Sequence, residues 1–183
     1  MSRAQFIDKL ERVFEAKLAI AGNFAVADET SADSNQQQTN DAFSEKWDRY
    51  ERSDEKERLY DFQREWYLKL YGFASEDALR EYLAGCEVVI DAGCGLGYKA
   101  AWFARLAPHA LVIGMDYSAA AQQAARNYAA LANLFFVRGD IARTGLRDGS
   151  VDYASCDQVI MHTESPERTF SELARITRRP GAQ

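Results

Sequence analysis

Cysteine and histidine are scarce in this chain, and their scarcity removes whole classes of chemistry. The three cysteines, Cys86, Cys94 and Cys156, form no CxxC pair, and two histidines leave a zinc site short of ligands. Reduced thiols and no structural metal are the expectation. No apolar run approaches the roughly 18 residues of a membrane span, and the opening MSRAQFIDKLERVF is too charged for the apolar part of a secretory leader. A cytoplasmic location follows as the expectation. A basic excess is also missing. The formal net charge is −6, and all of the surplus acid lies in residues 1–84, which carry 12 basic and 18 acidic side chains against 10 of each in residues 85–183. Without a positive footprint for phosphates, a nucleic-acid substrate is disfavoured. No internal repeat is present. What remains is 183 residues with 47% hydrophobic side chains, enough for one domain with a buried core and an accessory segment.

The pattern divides the chain into three regions. In residues 1–42, Phe6, Leu10, Val13, Phe14, Leu18 and Ala21 recur at near-helical spacing, which predicts an amphipathic helix over 3–20 ending near Gly22. A polar linker, DETSADSNQQQTND, follows over 28–41. Residues 43–84 read as a helical cap segment of two or three helices, with an apolar stripe of Trp47, Tyr50, Leu59, Phe62, Trp66, Leu70 and Tyr71. The stripe breaks at Gly72, and Ser75 recaps a helix whose first turn holds Asp77. Phe43, Trp47 and Tyr50 suit ordinary helix packing or, alternatively, a lid whose ring faces attract a cation.

In residues 85–183 the grammar changes to short apolar runs, EVVID (87–91), ALVIGMD (110–116), LFFVRGD (134–140) and VDYASCD (151–157), separated by helical stretches at about 98–107, 118–132 and 166–178. Strands alternating with helices predict an α/β fold, a Rossmann-like parallel sheet with helices on both faces. Between Asp140 and Val151 lies IARTGLRDGS, too short for a crossover helix, so a brief turn or irregular loop is expected there.

The sharpest motif is VVIDAGCGLGY over 88–98, a buried strand running through glycines into a helix. Glycines at such a turn allow positive φ and let a ligand approach the backbone. A dinucleotide site would space them GxGxxG, but Gly97 comes one residue early after Gly93 and Gly95, and Tyr98 stands where close helix packing wants a small side chain. Asp91, two residues before Gly93, would crowd a pyrophosphate and attract an ammonium. Asp116, Asp140 and Asp157 close the next three strands in the same way. In an open parallel sheet these tips line one crevice, suited to a ligand with amines and hydroxyls and without phosphates. S-adenosylmethionine has that chemistry.

With this motif, residues 43–181 resemble the class I S-adenosylmethionine-dependent methyltransferases, especially the broad type carrying DAGCGxG. The resemblance implies strand order 3-2-1-4 for the four strands and an N-terminal helical extension before them. It also implies a cofactor site. Asp91, Gly93, Cys94 through its backbone, and Gly95 would form the amino-acid pocket, and Asp116 with Tyr117 the ribose site. Asp140 and Ile141 would flank adenine, while Cys156 and Asp157 face cofactor and substrate. The segment VIMHT over 159–163 is similar to the family's VLHHT, with Met161 replacing the first histidine. The implied reaction is methyl transfer to an unidentified acceptor, a small molecule before others, leaving S-adenosylhomocysteine. Each acid keeps an ordinary reading beside this one: a helix cap before Ser118 for Asp116, a surface turn for Asp140, a turn cap for Asp157. No catalytic base is assigned. His162 is the candidate near the crevice, against the reading of a packing histidine, and His109 reads as a surface-loop residue.

Two other functions compete: an NAD(P)-dependent oxidoreductase, which shares the strand, glycine turn and ribose acid, and a non-catalytic cofactor-binding or scaffold subunit. The family's sheet continues beyond the fourth strand, whereas this sequence ends at Gln183. A truncated methyltransferase domain is therefore expected, with an open sheet edge that a homo-oligomer or partner chain would cover.

Overall fold

A computed structural model describes residues 1–27 and 56–178. The lid candidates Phe43, Trp47 and Tyr50 lie outside the described residues, as does the predicted linker over 28–41.

Helix α1, Arg3–Val13, opens with a reciprocal cap: the Ser2 hydroxyl accepts from the Gln5 backbone N–H, and the Gln5 side chain accepts from the Ser2 N–H. The helix stops seven residues before the expected end at 20. Backbone bonds from Glu15 to Gly145 and from Arg147 to Val13, each 2.9 Å, draw the chain out straight, and Phe14 bridges to Leu146. Strands β1, Ala19–Ala21, and β2, Phe24–Val26, then form an antiparallel hairpin across Gly22 and Asn23. Gly22 takes a φ of 67° there, so the Gly-Asn turn between two apolar triplets prevails over the helical spacing of Leu18 and Ala21. The N-terminal extension is thus helical in its first half and part of the sheet in its second.

The cap segment supplies α2, Lys56–Leu70, and α3, Glu76–Ala84. Gly72 turns the chain with a φ of 76°, and the Ser75 hydroxyl caps α3 by accepting from the Ala78 N–H, as the sequence predicts. The alternating half follows in order: β3 (Val88–Ala92), α4 (Tyr98–Leu106), β4 (Leu111–Asp116), α5 (Ala120–Asn127), β5 (Leu134–Arg138), β6 (Tyr153–Ser155), a 3-10 turn (Ile160–His162) and α6 (Pro166–Ile176). Helix α5 ends well before the expected 132. Beyond it, Asn133 must sit where its side-chain amide donates to the carbonyls of Ala104, Ala107 and Ala110, each at 3.1 Å.

The six strands lie in the order β1-β2-β5-β4-β3-β6. Within it β5-β4-β3-β6 is the expected 3-2-1-4 arrangement, all parallel, and β2 adds to β5 in parallel with Phe24 opposite Phe136. Alternate strand residues face opposite layers, and both are buried. Val88, Ile90, Leu111, Ile113, Phe135 and Val137 pack under α1 and α6 with Phe6, Leu10, Leu173 and Ile176. Val89, Val112, Leu134 and Phe136 pack under α2 to α5 with Tyr67, Leu79, Leu83 and Phe103. The connection from β5 to β6 carries no helix, as its length dictates, and α1 supplies the cover it cannot. Among the described residues no helix is long and apolar enough to cross a membrane.

Candidate functional site

From β3 the chain steps outward through β4 to β5 and then returns to place β6 on the other side of β3. This reversal opens a crevice at the carboxyl end of β3, where the glycine turn lies. Gly93, Gly95 and Gly97 adopt φ of 78°, 51° and 77°. The N–H groups of Gly93 and Cys94 both donate to the Met115 carbonyl, at 2.8 and 3.0 Å, and Gly97 N–H donates to Cys94 O at 2.8 Å. Two of these glycines also make room. A Cβ on Gly97 would stand 2.4 Å from the Phe136 ring, and one on Gly93 would stand 2.4 Å from Cγ1 of Val159. Phe136 also lies over Gly114, whose Cβ would meet the ring at 2.7 Å. Val159 is held over the turn by the loop after β6, in which Gln158 has a φ of 58° and is the sole described non-glycine residue with positive φ.

Asp91 sits in β3 with its side chain 1% exposed, and neither oxygen accepts a hydrogen bond among the described residues. Burial raises its pKa; Lys99 opposes that rise, and Asp157 and Asp116 add to it. The Lys99 Nζ lies 3.5 Å from Asp91 Oδ1 and 3.4 Å from Asp157 Oδ2. The other oxygen of Asp157 accepts from the Tyr71 hydroxyl at 3.2 Å, which ties α2 to the end of β6. Behind them, the buried Tyr67 hydroxyl donates to Ser155 Oγ at 3.2 Å and shares a 2.5 Å hydrogen bond with Tyr153.

Asp116 joins the glycine turn to the next one. Its Oδ2 accepts from Gly95 N–H at 2.8 Å, and its Oδ1 from the Ser118 N–H and hydroxyl at 2.9 and 2.7 Å. The N-cap of α5 is Ala119, so Asp116 shapes the turn without capping the helix. Tyr117 is half-buried beside it, and its carbonyl accepts from Arg138 Nε. Asp140 accepts from Ala142 N–H at 2.8 Å, the local turn that its ordinary reading anticipates, and Ile141 is buried in the core. Cys94 is buried within the glycine turn and Cys156 is half-buried after β6. His162 is exposed on the 3-10 turn, and His109 is exposed in the loop before β4.

The geometry therefore gathers Asp91, the glycine turn, Asp116 and Asp157 around one crevice; it adds Lys99 and Tyr67, which the sequence reading did not single out, and Tyr71 and Val159, which it named only in an apolar stripe and in the VIMHT segment. Lys99 carries a signal in hindsight. It is a lone cation in the first turn of a helix that is otherwise buried through Ala100, Ala101, Trp102 and Phe103, where the helix dipole disfavours positive charge.

A mostly parallel sheet with a glycine turn at its reversal point and an acidic residue closing the neighbouring strand defines a Rossmann-like α/β domain of the nucleoside-cofactor-binding class. Residues 90–182, half of the chain, match the methyltransferase domain family, and the chain belongs to it as a class I S-adenosylmethionine-dependent methyltransferase domain. It is 35% identical over 99 residues to an uncharacterized 37.1 kDa protein of a Streptomyces fradiae transposon, covering 53% of this chain and 28% of that protein. An uncharacterized chloroplastic methyltransferase of Arabidopsis thaliana is 33% identical over 100 residues, covering 51% of this chain and 28% of its own length. The chain thus spans less than a third of either relative. Magnesium protoporphyrin IX methyltransferase of Synechocystis, solved with bound S-adenosylmethionine, shares the fold with a TM-score of 0.58 at 23% identity, over 81% of this chain and 74% of that one. Family membership decides between the two enzyme readings of the sequence, in favour of the methyl donor over the nicotinamide cofactor.

Proposed function

We propose that the crevice at the carboxyl ends of β3 to β6 holds S-adenosylmethionine and that the chain directs its methyl group to a small-molecule acceptor. Asp91 carries this reading. A carboxylate that is 1% exposed, whose one cation among the described residues is Lys99 at a loose 3.5 Å, is stabilised further by a cationic ligand and penalised by an anionic one. In this reading Asp91 and the backbone of Gly93, Cys94 and Gly95 hold the amino-acid end. Asp116 and Tyr117 take the ribose, Asp140 and Ile141 flank adenine, and Asp157 faces the acceptor side. Residues 43–84 act as a cap on a cofactor domain over 85–183, with the bond from Tyr71 to Asp157 joining the two.

When bound, S-adenosylmethionine supplies an electrophilic methyl group on a sulfonium that departs as a neutral sulfide. The chain's part is then alignment and exclusion of water. Asp116, fixed by three donors, keeps the glycine turn at a set distance from β4. Val159 closes the turn from the β6 side. No proton step is assigned to His162.

Calorimetric titration of the chain with S-adenosylmethionine, S-adenosylhomocysteine and NAD tests the proposal. Affinity of roughly micromolar order is expected for the first two, none for NAD, and loss of both in Asp91→Asn with the protein still folded. Undiminished binding in that variant would overturn the site. Methyl transfer to a panel of small acceptors separates an enzyme from a subunit that merely holds the cofactor.

A further inference from the structure

Lys99 is placed against two ordinary preferences. Its ammonium stands in the first turn of α4, the positive end of the helix dipole, and its side chain is 17% exposed. What holds it there is shared. Asp91 lies at 3.5 Å and Asp157 at 3.4 Å, so neither acid owns a tight pair, and the Tyr67 ring faces the ammonium with its centre 5.4 Å away. Asp157 is fixed independently by Tyr71 through its other oxygen. A small side-chain movement therefore lets Lys99 keep Asp157 and the Tyr67 face while releasing Asp91 altogether.

We infer that Lys99 is an internal counter-ion standing where a ligand's ammonium belongs, displaced from Asp91 when an amino-acid-bearing nucleoside binds, and that it sets how strongly the crevice prefers such ligands. The inference rests on the cofactor reading above. Without Lys99, the carboxylates of Asp91 and Asp157 would face each other unneutralised in the empty crevice. With it, the ligand's ammonium exchanges one ion pair for another instead of adding a new one. Affinity is thereby held below what the bare acids would give. A nucleoside lacking the amino-acid part competes with nothing at Asp91, so its binding is indifferent to Lys99. Lys99 is a specificity-determining residue, and a purely structural role would not distinguish these ligands.

The test compares S-adenosylhomocysteine with 5′-methylthioadenosine, which retains adenine, ribose and sulfur but has no ammonium. Both are titrated at pH 8 into the full chain and its Lys99→Met and Lys99→Arg variants, with circular dichroism as the check on folding. Lys99→Met is expected to bind S-adenosylhomocysteine about three- to fivefold more tightly, the scale of one lost competing pair, and 5′-methylthioadenosine with unchanged affinity. Lys99→Arg, which keeps the charge, should remain near the original affinity for both. If Lys99→Met does not fold, Lys99→Gln is titrated in its place with the same expectation. Parallel shifts for the two ligands, or unchanged or weaker binding of S-adenosylhomocysteine, overturn the inference while leaving the cofactor site standing. Failure of the unaltered chain to bind either nucleoside overturns the cofactor reading and the inference with it.

Discussion

Phe136 lies across two glycines, and that arrangement allows backbone strain and crowding to be measured separately. A Cβ on Gly97 would stand 2.4 Å from the ring and one on Gly114 2.7 Å, but Gly97 holds a φ of 77° while Gly114 lies outside the left-handed region. Overfilling a buried site costs about 1–3 kcal/mol, and a left-handed backbone costs a non-glycine residue about 1–2 kcal/mol more. Gly114→Ala should therefore lower stability by about 1–3 kcal/mol and Gly97→Ala by roughly 2–5 kcal/mol. At roughly 2–4 °C per kcal/mol for a chain of this size, the difference is visible in thermal melts as well as in urea unfolding. Fluorescence of Trp102, 3% exposed beside α4's core face, is a suitable probe. Pairing each variant with Phe136→Leu should relieve the crowding against the ring in both, leaving in Gly97→Ala the backbone part and the 2.9 Å approach to Ala124 Cβ. Equal destabilisation of the two alanine variants, or a Gly97→Ala variant within about 0.5 kcal/mol of the unaltered protein, would refute separate strain and crowding contributions.

Three further outcomes are expected. Burial raises the pKa of Glu172, but hydrogen bonds from Arg175 and Thr144 outweigh it, so the net shift is downward. Glu172 then stabilises the fold fully above the ordinary glutamate range and loses that contribution as pH falls through its lowered folded value; Glu172→Gln should flatten this part of the acid unfolding profile measured by circular dichroism. Burial pushes the thiols of Cys86 and Cys156 up to about 11 and that of Cys94 well above its ordinary value. Labelling with a disulfide reagent at pH 8 should accordingly be slow in the folded protein and complete within the mixing time in urea; rapid labelling without denaturant contradicts the packing. Leu10 of α1 is fully buried, so Leu10→Ala should cost about 2–5 kcal/mol in urea unfolding, whereas a dispensable extension would tolerate it.

Much of the alternating half was legible because its signals are local. Four apolar runs and the glycine turn, like the Ser75 cap before them, each depend on residues adjacent in sequence, and each is where the pattern put it. What escaped depends on distant partners. The spacing of Leu18 and Ala21 suits a helix until residues 145–147 pull the backbone straight. Asn133 ends the region after α5 through carbonyls of α4 and the loop beyond it. In the site, the acids at the strand tips could be named from their positions, but the contact of Val159 with Gly93 and the sharing of Lys99 between Asp91 and Asp157 bring together residues from separate elements. A charge pattern along the chain holds no information about which acid a lysine will reach.

The β1–β2 hairpin has a consequence for biosynthesis. Phe24 pairs with the strand containing Phe136, and Val13 and Glu15 bond to residues 145 and 147. Residues 13–26 are made before residues 134–147, so these long-range partners are missing until the intervening chain has been synthesised. Contacts of such long sequence separation slow folding, and an apolar hairpin left exposed meanwhile is an aggregation hazard.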